Sequence, residues 1–290
     1  SDVLLFEADE SDGSFLNSNP YCAIVPNAEP EHMEYYDYNF DRFYDAYKSF
    51  INSASLRVLN AEDPFLSTLD CEAIRLYPSR DIKNIEYVLL NDEPHTRFEL
   101  LDMGVFEVWG FGEHIAIDAA LAVLAAIQSE DVEAVREKLL NFKGIKKRFD
   151  IINKKESILI DDYGHHPTEI RATLESVKAY AELMGIEKIT AIWQPHKYSR
   201  TIDNLDAFIN CFEGTSELII LPVWAAGEKK RKINFEKDFE RYDPVMADGV
   251  KRSDDDLDVM KDNQILKSLD KGLIVGFGAG DITYQLRGIA

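Results

Sequence analysis

The sequence predicts an α/β fold whose second half contains a mostly parallel, doubly wound sheet. After residue 150, short apolar runs alternate with helical segments, which is the order that βαβ units require. Near-alternating apolar residues at 86–90 and 98–108 indicate strands of an antiparallel edge in the first half. The 290 residues, 46% of them hydrophobic, favour two domains, which we place at 1–150 and 151–290.

Local signals predict the elements of the first half. Apolar runs indicate short strands at 3–6 and 22–25, and a helix is indicated around 40–51. Small residues favour a helix at 114–127. The sequence 129–131, Ser-Glu-Asp, then supplies the cap and acidic first turn of a second helix that ends near Phe142.

The second half is predicted to alternate strands at 158–160, 189–193, 218–221 and 273–275 with helices at 167–184 and 204–211. Pro167 and Gly185 bound the longer helix. Polar or glycine-containing segments follow the strands directly: DDYGHHP, QPHKYSRT, PVWAAGEKKRK and GFGAGD. Because ligands bind at the carboxyl ends of parallel strands, we expect these four loops to converge.

Composition narrows the classes of partner. A net charge of -21 disfavours nucleic acid and anionic lipid, so a small ligand held by local basic groups is expected. No run approaches the roughly 18 apolar residues of a membrane span, and the first residues lack the order of a signal peptide. Three widely spaced cysteines argue against disulfides and a zinc knuckle. We therefore expect a cytoplasmic protein without a membrane partner.

Two acidic segments are candidates for a cation site. EADESDGSF, from Glu7 to Phe15, places four carboxylates within six residues after a predicted strand, where they suit Mg²⁺. A solvated acidic turn is the alternative explanation. His32 lies among carboxylates after the next apolar run and is either a metal ligand or a capping residue. The acidic run at 254–256 is interpreted as a solvated turn or helix start.

The loops of the second half carry the other candidates. In DDYGHHP, two carboxylates and two histidines precede a helix N-terminus that favours anions, whereas QPHKYSRT gathers cations that suit a carboxylate or phosphate. The basic run at 229–232 is interpreted as solvated surface, and the GFGAGD glycines are a weak signal. A metal hydrolase and a binding module without chemistry remain alternatives. The hydrolase would use Asp161, Asp162, His165, His166 and His32.

Taken together, these segments resemble the Mur ligases, and within them the branch that adds L-alanine. The resemblance covers nearly the whole chain and rests on EADESDGSF, N-x-E-x-x-H-M, GEH-x-A-x-x-A, G-x-K-x-RFD, DDYGHHPTE, QPHKYSRT, AAGE and GAGD, in that order. It implies a central ATP-binding domain followed by a Rossmann-like C-terminal domain. A recycling ligase for murein tripeptide shares this fold but normally has tyrosine where this chain has Ser11.

The resemblance implies that ATP phosphorylates the lactyl carboxylate of UDP-N-acetylmuramate and that L-alanine attacks the acyl phosphate, with Mg²⁺ as cofactor. It implies that Glu7 and His32 are metal ligands, with Glu10 as second choice for the carboxylate. Four groups of functional residues follow from it. They are the catalytic Glu7, His32, Arg148 and His165; the substrate-binding Tyr163, His165, His196, Lys197 and Arg200; the ATP-binding Arg148, Asp162, His114 and Asp118; and the metal ligands Glu7 and His32.

Three features depart from the family pattern. Lys197 replaces the more usual arginine, which keeps charge but loses bidentate recognition. Ile115 and Asp118 replace two asparagines of H-N-A-x-N, so the two amides that would read adenine are absent, although Asp118 can still accept from the exocyclic amine. The sequence contains no G-K-[ST] phosphate loop. We therefore expect a chain truncated within the central domain, which binds ATP poorly and does not ligate alone.

Overall fold

The computed structural model describes residues 3–31, 33–253 and 256–289, and two compact units make up the chain. Unit 1 comprises Ser1–Glu86, Thr96–Val108 and Glu113–Phe142. Unit 2 comprises Tyr87–His95, Trp109–Gly112 and Lys143–Ala290. The domain boundary at residue 150 remains a prediction from sequence.

Unit 1 contains a parallel sheet of β1 (Cys22–Val25), β2 (Leu56–Asn60) and β3 (Ile74–Leu76), in that order. Helix α1 (Phe40–Ser53) begins where Asn39 caps it, because the Asn39 side chain accepts a hydrogen bond from the Arg42 N–H at 3.1 Å. The predicted strand at 22–25 and the predicted helix at 40–51 are both confirmed.

The predicted strand at 3–6 is wrong. Residues 3–10 have neither helical nor strand structure, and Val3, Leu4 and Leu5 are exposed. A strand needs a hydrogen-bonded neighbour, and within the described ranges β1 pairs only with β2. The apolar run therefore has strand propensity, but no neighbouring strand in the described ranges pairs with it. His32 and residues 254 and 255 lie outside the described residues, whereas Asp256 begins a strand.

A second sheet and three further helices complete the described part of the first half. The two-residue turn Asn91-Asp92 has φ values of 53° and 61°, the left-handed geometry of a type I′ hairpin turn. The helix that begins at Val132 is capped as predicted, since Asp131 accepts from the Glu133 N–H at 3.0 Å. The elements are α2 (Pro78–Asp81), β4 (Ile82–Leu90), β5 (Glu93–Leu100), β6 (Val105–Trp109), α3 (Glu113–Ala126) and α4 (Val132–Leu140), with the sheet in the order β4-β5-β6.

Among the described residues of unit 2, six strands form a mostly parallel sheet in the order β11-β10-β9-β15-β8-β7. Only β7 runs antiparallel to its neighbour. A separate antiparallel sheet, β12-β13-β14, was not predicted. The strands are β7 (Asp150–Lys154), β8 (Ser157–Asp162), β9 (Ile189–Trp193), β10 (Glu217–Ile220), β11 (Val245–Met246), β12 (Gly249–Ser253), β13 (Asp256–Lys261), β14 (Gln264–Leu269) and β15 (Gly272–Phe277).

The helices of unit 2 are α5 (Pro167–Met184), α6 (Tyr198–Asp203), α7 (Leu205–Cys211), α8 (Phe235–Asp238) and α9 (Ile282–Arg287). Sequence predicted α5 with its bounds, but it predicted a loop where α6 lies. Trp193 is fully buried among aromatic rings, with the Phe208 centroid 4.7 Å away, so it anchors β9 in the core. No helix in the part of the chain that the structure describes combines the length and apolar character needed to cross a membrane.

Gly185 ends α5 in the left-handed region, at φ 68°, and no atom lies within 4 Å of the position that an added Cβ would take. We expect Gly185→Ala to lower the free energy of unfolding by about 1 kcal/mol, because only backbone strain opposes the new methyl. Urea denaturation would measure it. Glu182→Ala, an exposed change in the same last turn, is the control and should stay within about 0.5 kcal/mol of the parent.

Candidate active site

The four polar loops of unit 2 meet at the carboxyl ends of β8, β9, β10 and β15. The Gln194 N–H donates to the Phe277 carbonyl at 2.9 Å, which joins the loops after β9 and β15. The Trp224 N–H donates to the Pro195 carbonyl at 2.7 Å, which joins the loops after β10 and β9. The Gly278 N–H donates to the Asp162 carbonyl at 3.2 Å, which joins the loops after β15 and β8. The predicted convergence is confirmed.

Asp162 organises the loop that carries Arg148. Its two carboxylate oxygens accept the Phe149 N–H and the Gly164 N–H, each at 2.8 Å, and the side chain is buried. Phe149 has a φ of 49°, an unusual value for a bulky residue, and this hydrogen bond holds it there. Burial raises the pKa of Asp162, against the opposing effect of these two N–H donors. Its contact with ATP remains a prediction.

Glu169 joins several candidate residues, although sequence reasoning did not select it. Its Oε2 accepts from the backbone N–H groups of His165 at 2.9 Å and His166 at 3.0 Å. Its Oε1 lies 3.8 Å from the Arg148 guanidinium. With His166 as N-cap and Pro167 following it, Glu169 completes a capping box at the start of α5. The sequence signal for this role was the glutamate at position 169, three residues after the N-cap His166, because that spacing is typical of a capping box.

The tautomer of His165 follows from its contacts. Its Nδ1 lies 3.1 Å from the Tyr163 carbonyl oxygen, which can only accept, and 3.3 Å from Glu169 Oε2. Nδ1 therefore carries the proton, and neutral His165 keeps a lone pair on Nε2. Burial lowers the pKa of His165, the Glu169 carboxylate opposes this, and the Arg200 charge adds to it. The imidazole is thus a neutral acceptor near pH 7.

His196 has the complementary tautomer. Its Nδ1 lies 3.5 Å from the Arg200 Nη1, and a guanidinium only donates, so the proton of the neutral ring sits on Nε2. Burial, with the neighbouring His165, Arg200 and Lys197, lowers the pKa of His196 to about 4. The ring centroids of His165 and His196 are 5.6 Å apart. The Tyr163 ring contacts His165 in an edge-to-face arrangement, with centroids 5.3 Å apart.

Helix α6 places Arg200 beside His196. The helix begins after Lys197, whose φ of 64° is strained for a residue with a side chain, and the Lys197 N–H donates to the Trp224 carbonyl at 2.9 Å. Glu228 of the AAGE segment accepts from the Ser199 hydroxyl at 2.5 Å and from the Ser199 N–H at 3.0 Å. Glu228 thereby fixes the first turn of α6, a role that sequence analysis missed.

The structure brings five predicted residues of unit 2 into one cluster. Ring contacts and side-chain contacts connect Tyr163, His165, His196 and Arg200, and Arg148 joins them through Glu169. Lys197 adjoins the cluster through the backbone. Two neutral imidazoles with three cations suit a ligand that bears a carboxylate and an amine.

In unit 1, Glu7 is exposed and Glu10 half-buried. Asp9 and Asp12 accept the backbone N–H groups of Ser11 and Ser14, at 2.8 and 2.9 Å, so both stabilise the local turn. Within residues 3–31, 33–253 and 256–289, no three His, Cys, Asp or Glu side chains are grouped as a metal site. Because His32 is outside these ranges, its pairing with Glu7 on a metal remains a prediction.

The predicted adenine contacts lie on α3. His114 and Asp118 are four residues apart, so they share one face of the helix, and both are exposed. Ile115 and Ala116 turn toward the apolar core of unit 1. The helix therefore leaves His114 and Asp118 accessible to a ligand, and their role in ATP binding remains a prediction.

Comparison with known proteins agrees with this fold. Residues 147–262 match the family model described as Mur ligase, glutamate ligase domain. A solved ligase from Thermotoga maritima, UDP-N-acetylmuramate–alanine ligase MurC, superposes with a TM-score of 0.73 over 97% of this chain and 61% of its own, at 22% identity. At that identity, the match establishes the fold alone. The chain belongs to the Mur ligase family.

Within the family, the chain is similar to UDP-N-acetylmuramate–L-alanine ligases. It is 56% identical over 289 residues to the enzyme of that name from Campylobacter curvus, covering 99% of this chain and 66% of the relative. It is 54% identical over 290 residues to the enzyme of the same name from Helicobacter pylori strain P12, a match that covers 99% of this chain and 64% of that relative. The chain thus spans just under two thirds of the length of these relatives.

Proposed function

We propose that the chain serves in the ATP-dependent ligation of L-alanine to the lactyl carboxylate of UDP-N-acetylmuramate, through an acyl phosphate. The observation that carries the proposal is the unit 2 cluster, in which neutral imidazoles stand beside arginine and lysine side chains. Identity of 54–56% to ligases of this name supports the choice of substrates. Three free cysteines in the structure support a cytoplasmic setting.

In this proposal, Arg200 and Lys197 bind the carboxylate of L-alanine as cations. His165 accepts a proton from the substrate ammonium on Nε2, which leaves a nucleophilic amine, while His196 donates from its Nε2–H to a substrate oxygen. Tyr163 packs against His165 and fixes the orientation of its ring. Arg148 and Asp162 are proposed as ATP-binding residues. His114 and Asp118 are proposed for the same role on the strength of the family resemblance.

Mg²⁺ is proposed as the cofactor, with Glu7 and His32 as ligands and Glu10 as the second choice of carboxylate. When bound, a divalent ion would neutralise charge on the phosphoryl group during transfer. The exposed Glu7 carboxylate is chemically suited to a hard cation.

A chimera tests the proposal directly. The chain would replace the matching 66% of the Campylobacter curvus ligase, with the unmodified ligase as positive control. We expect L-alanine-dependent ADP formation, and mass spectrometry should identify the amide product. A folded chimera that forms no ADP would contradict the proposal. The 290-residue chain alone should release phosphate only at background rate, because it has no G-K-[ST] loop.

The alternatives predict different results. A recycling ligase would prefer a tripeptide to L-alanine as amine substrate in the same assay. A metal hydrolase would cleave a phosphoester or amide without ATP when Zn²⁺ or Mn²⁺ is added. A binding module would give no ADP in any combination. The similarity to L-alanine ligases favours the first proposal over all three.

A further inference from the structure

Trp224 occupies an unusual position in unit 2. Its side chain is 41% exposed, whereas the other two tryptophans, Trp109 and Trp193, are buried. It lies in the loop after β10, next to the candidate active site. A large aromatic surface that stays exposed among polar and charged groups is typical of a contact with an apolar part of a ligand.

The backbone holds Trp224 in register with His196. Its N–H donates to the Pro195 carbonyl at 2.7 Å, and its carbonyl accepts from the Lys197 N–H at 2.9 Å. These bonds form an isolated parallel bridge between His196 and Trp224. Residues paired in this way point their side chains to the same face, so the Trp224 indole and the His196 imidazole project from the same face of the bridge.

A third loop packs against the base of the indole. A Cβ atom at Gly280 would come within 2.7 Å of Trp224 Cγ and 2.3 Å of Gln194 Oε1. The Gln194 amide is itself fixed, since its Nε2 donates to Asp281 at 2.6 Å and its Oε1 accepts from the Ile282 N–H at 3.1 Å. The Gly280 backbone therefore packs against the base of the Trp224 side chain and leaves no room there for a Cβ atom.

We propose that Trp224 is a specificity-determining residue whose indole forms the apolar wall for the side chain of the amino-acid substrate. This inference rests on the proposed function. Carboxylate and amine recognition by Arg200 and His165 is the same for every L-amino acid, so selection for a small side chain needs an apolar boundary. An aromatic ring on the same face as His196 supplies that boundary and admits a methyl group more readily than a branched side chain.

Kinetics of the chimera test this role with two variants. For Trp224→Ala we expect KM for L-alanine to rise about fourfold, which is the factor that corresponds to the loss of one buried methyl contact. We expect kcat to stay nearly unchanged. The preference for L-alanine over L-valine in kcat/KM should fall about tenfold. Trp224→Phe keeps an aromatic wall and should restore most of the preference. A loss of folded protein alone would lower kcat/KM for L-alanine and L-valine equally and leave their ratio unchanged.

Fluorine NMR of the 290-residue chain gives a second readout. Labelling with 5-fluorotryptophan yields one signal for each of the three tryptophans, and Trp224→Phe identifies its own. L-Alanine should shift the Trp224 signal saturably, with Trp109 and Trp193 as internal controls.

The two experiments separate the inference from the proposed function. If the chimera ligates L-alanine but Trp224→Ala keeps the preference over L-valine, the inference fails and the function stands. If the chimera is inactive with every amino acid, the function fails. In that case a saturable Trp224 shift supports the inference, and an unmoved signal overturns it.

Discussion

His165→Ala is expected to lower kcat of the chimera about a hundredfold or more, the range typical of a lost proton-transfer group. The reason is the fixed tautomer: the Tyr163 carbonyl oxygen and Glu169 Oε2 lie 3.1 and 3.3 Å from Nδ1 and accept from it, and this leaves Nε2 as the acceptor. Alanine removes that acceptor but leaves the backbone N–H that donates to Glu169. Steady-state assays of ADP formation would measure the loss.

His166→Asn is the matched control for this prediction. His166 caps α5 through its Nδ1, and asparagine is among the best N-cap residues, so helix and loop should be retained. We expect a change of less than about threefold in kcat. Equal losses for His165→Ala and His166→Asn would show that the first variant acts through the fold of the loop.

The pH dependence of the chimera should follow from the lowered pKa of His165. The neutral form is the active one, so kcat/KM should persist below pH 6.5, the ordinary pKa of histidine, and fall as pH drops through the lowered pKa. Glu169 raises the pKa of His165, so Glu169→Gln should move this acidic limb to still lower pH. A limb that moves upward would contradict the assignment.

Arg287→Met is expected to lower the free energy of unfolding by about 3 kcal/mol. The Arg287 guanidinium donates from Nε at 2.9 Å and from Nη2 at 2.7 Å to Asp161 Oδ2, and from Nη2 at 2.5 Å to Asp150 Oδ2. Asp161 is 1% exposed, so removing the cation leaves a buried carboxylate whose charge is no longer balanced. Urea denaturation followed by far-UV circular dichroism would measure the loss.

A double-mutant cycle separates charge from packing in this prediction. Asp161→Asn in the Arg287→Met background removes the unbalanced charge and should recover part of the lost stability. Arg241→Met, which removes an exposed arginine hydrogen-bonded to Asn210 at 2.9 Å, is the control and should cost less than about 1 kcal/mol. A loss at Arg287 no larger than that at Arg241 would contradict the buried-pair account.

The same network explains how distant sequence segments form the site. Arg287 joins α9 to Asp150, whose Oδ2 also accepts the Lys147 N–H at 3.2 Å. Asp162, the last residue of β8, accepts from the Phe149 N–H and so fixes the position of Phe149. Arg148 therefore projects from a loop whose flanking residues are held by β8 and α9. Sequence motifs indicated that Arg148 and Asp162 belong together, but Arg287, 125 positions after Asp162, carried no local signal.

The sequence by itself determined the order of β8, α5, β9, α7, β10 and β15 in unit 2 and the bounds of α5, because Pro167, Glu169 and Gly185 act within a few residues of the chain. It also indicated which loops carry the polar clusters. It did not predict the sheet β12-β13-β14. It did not determine α6, which depends on Glu228 accepting from Ser199 across 29 residues. It misassigned the strand at 3–6, because strand propensity forms a strand only where a partner exists.

The tertiary structure alone decided the chemistry of the cluster. Which nitrogen of His165 or His196 carries the proton depends on the Tyr163 carbonyl and the Arg200 guanidinium, and these contacts arise only when the loops after β8 and β9 fold. The face from which the Trp224 side chain projects likewise depends on its bridge to His196. Residue type fixes what a side chain can donate or accept, but burial and neighbours fix which of these it does.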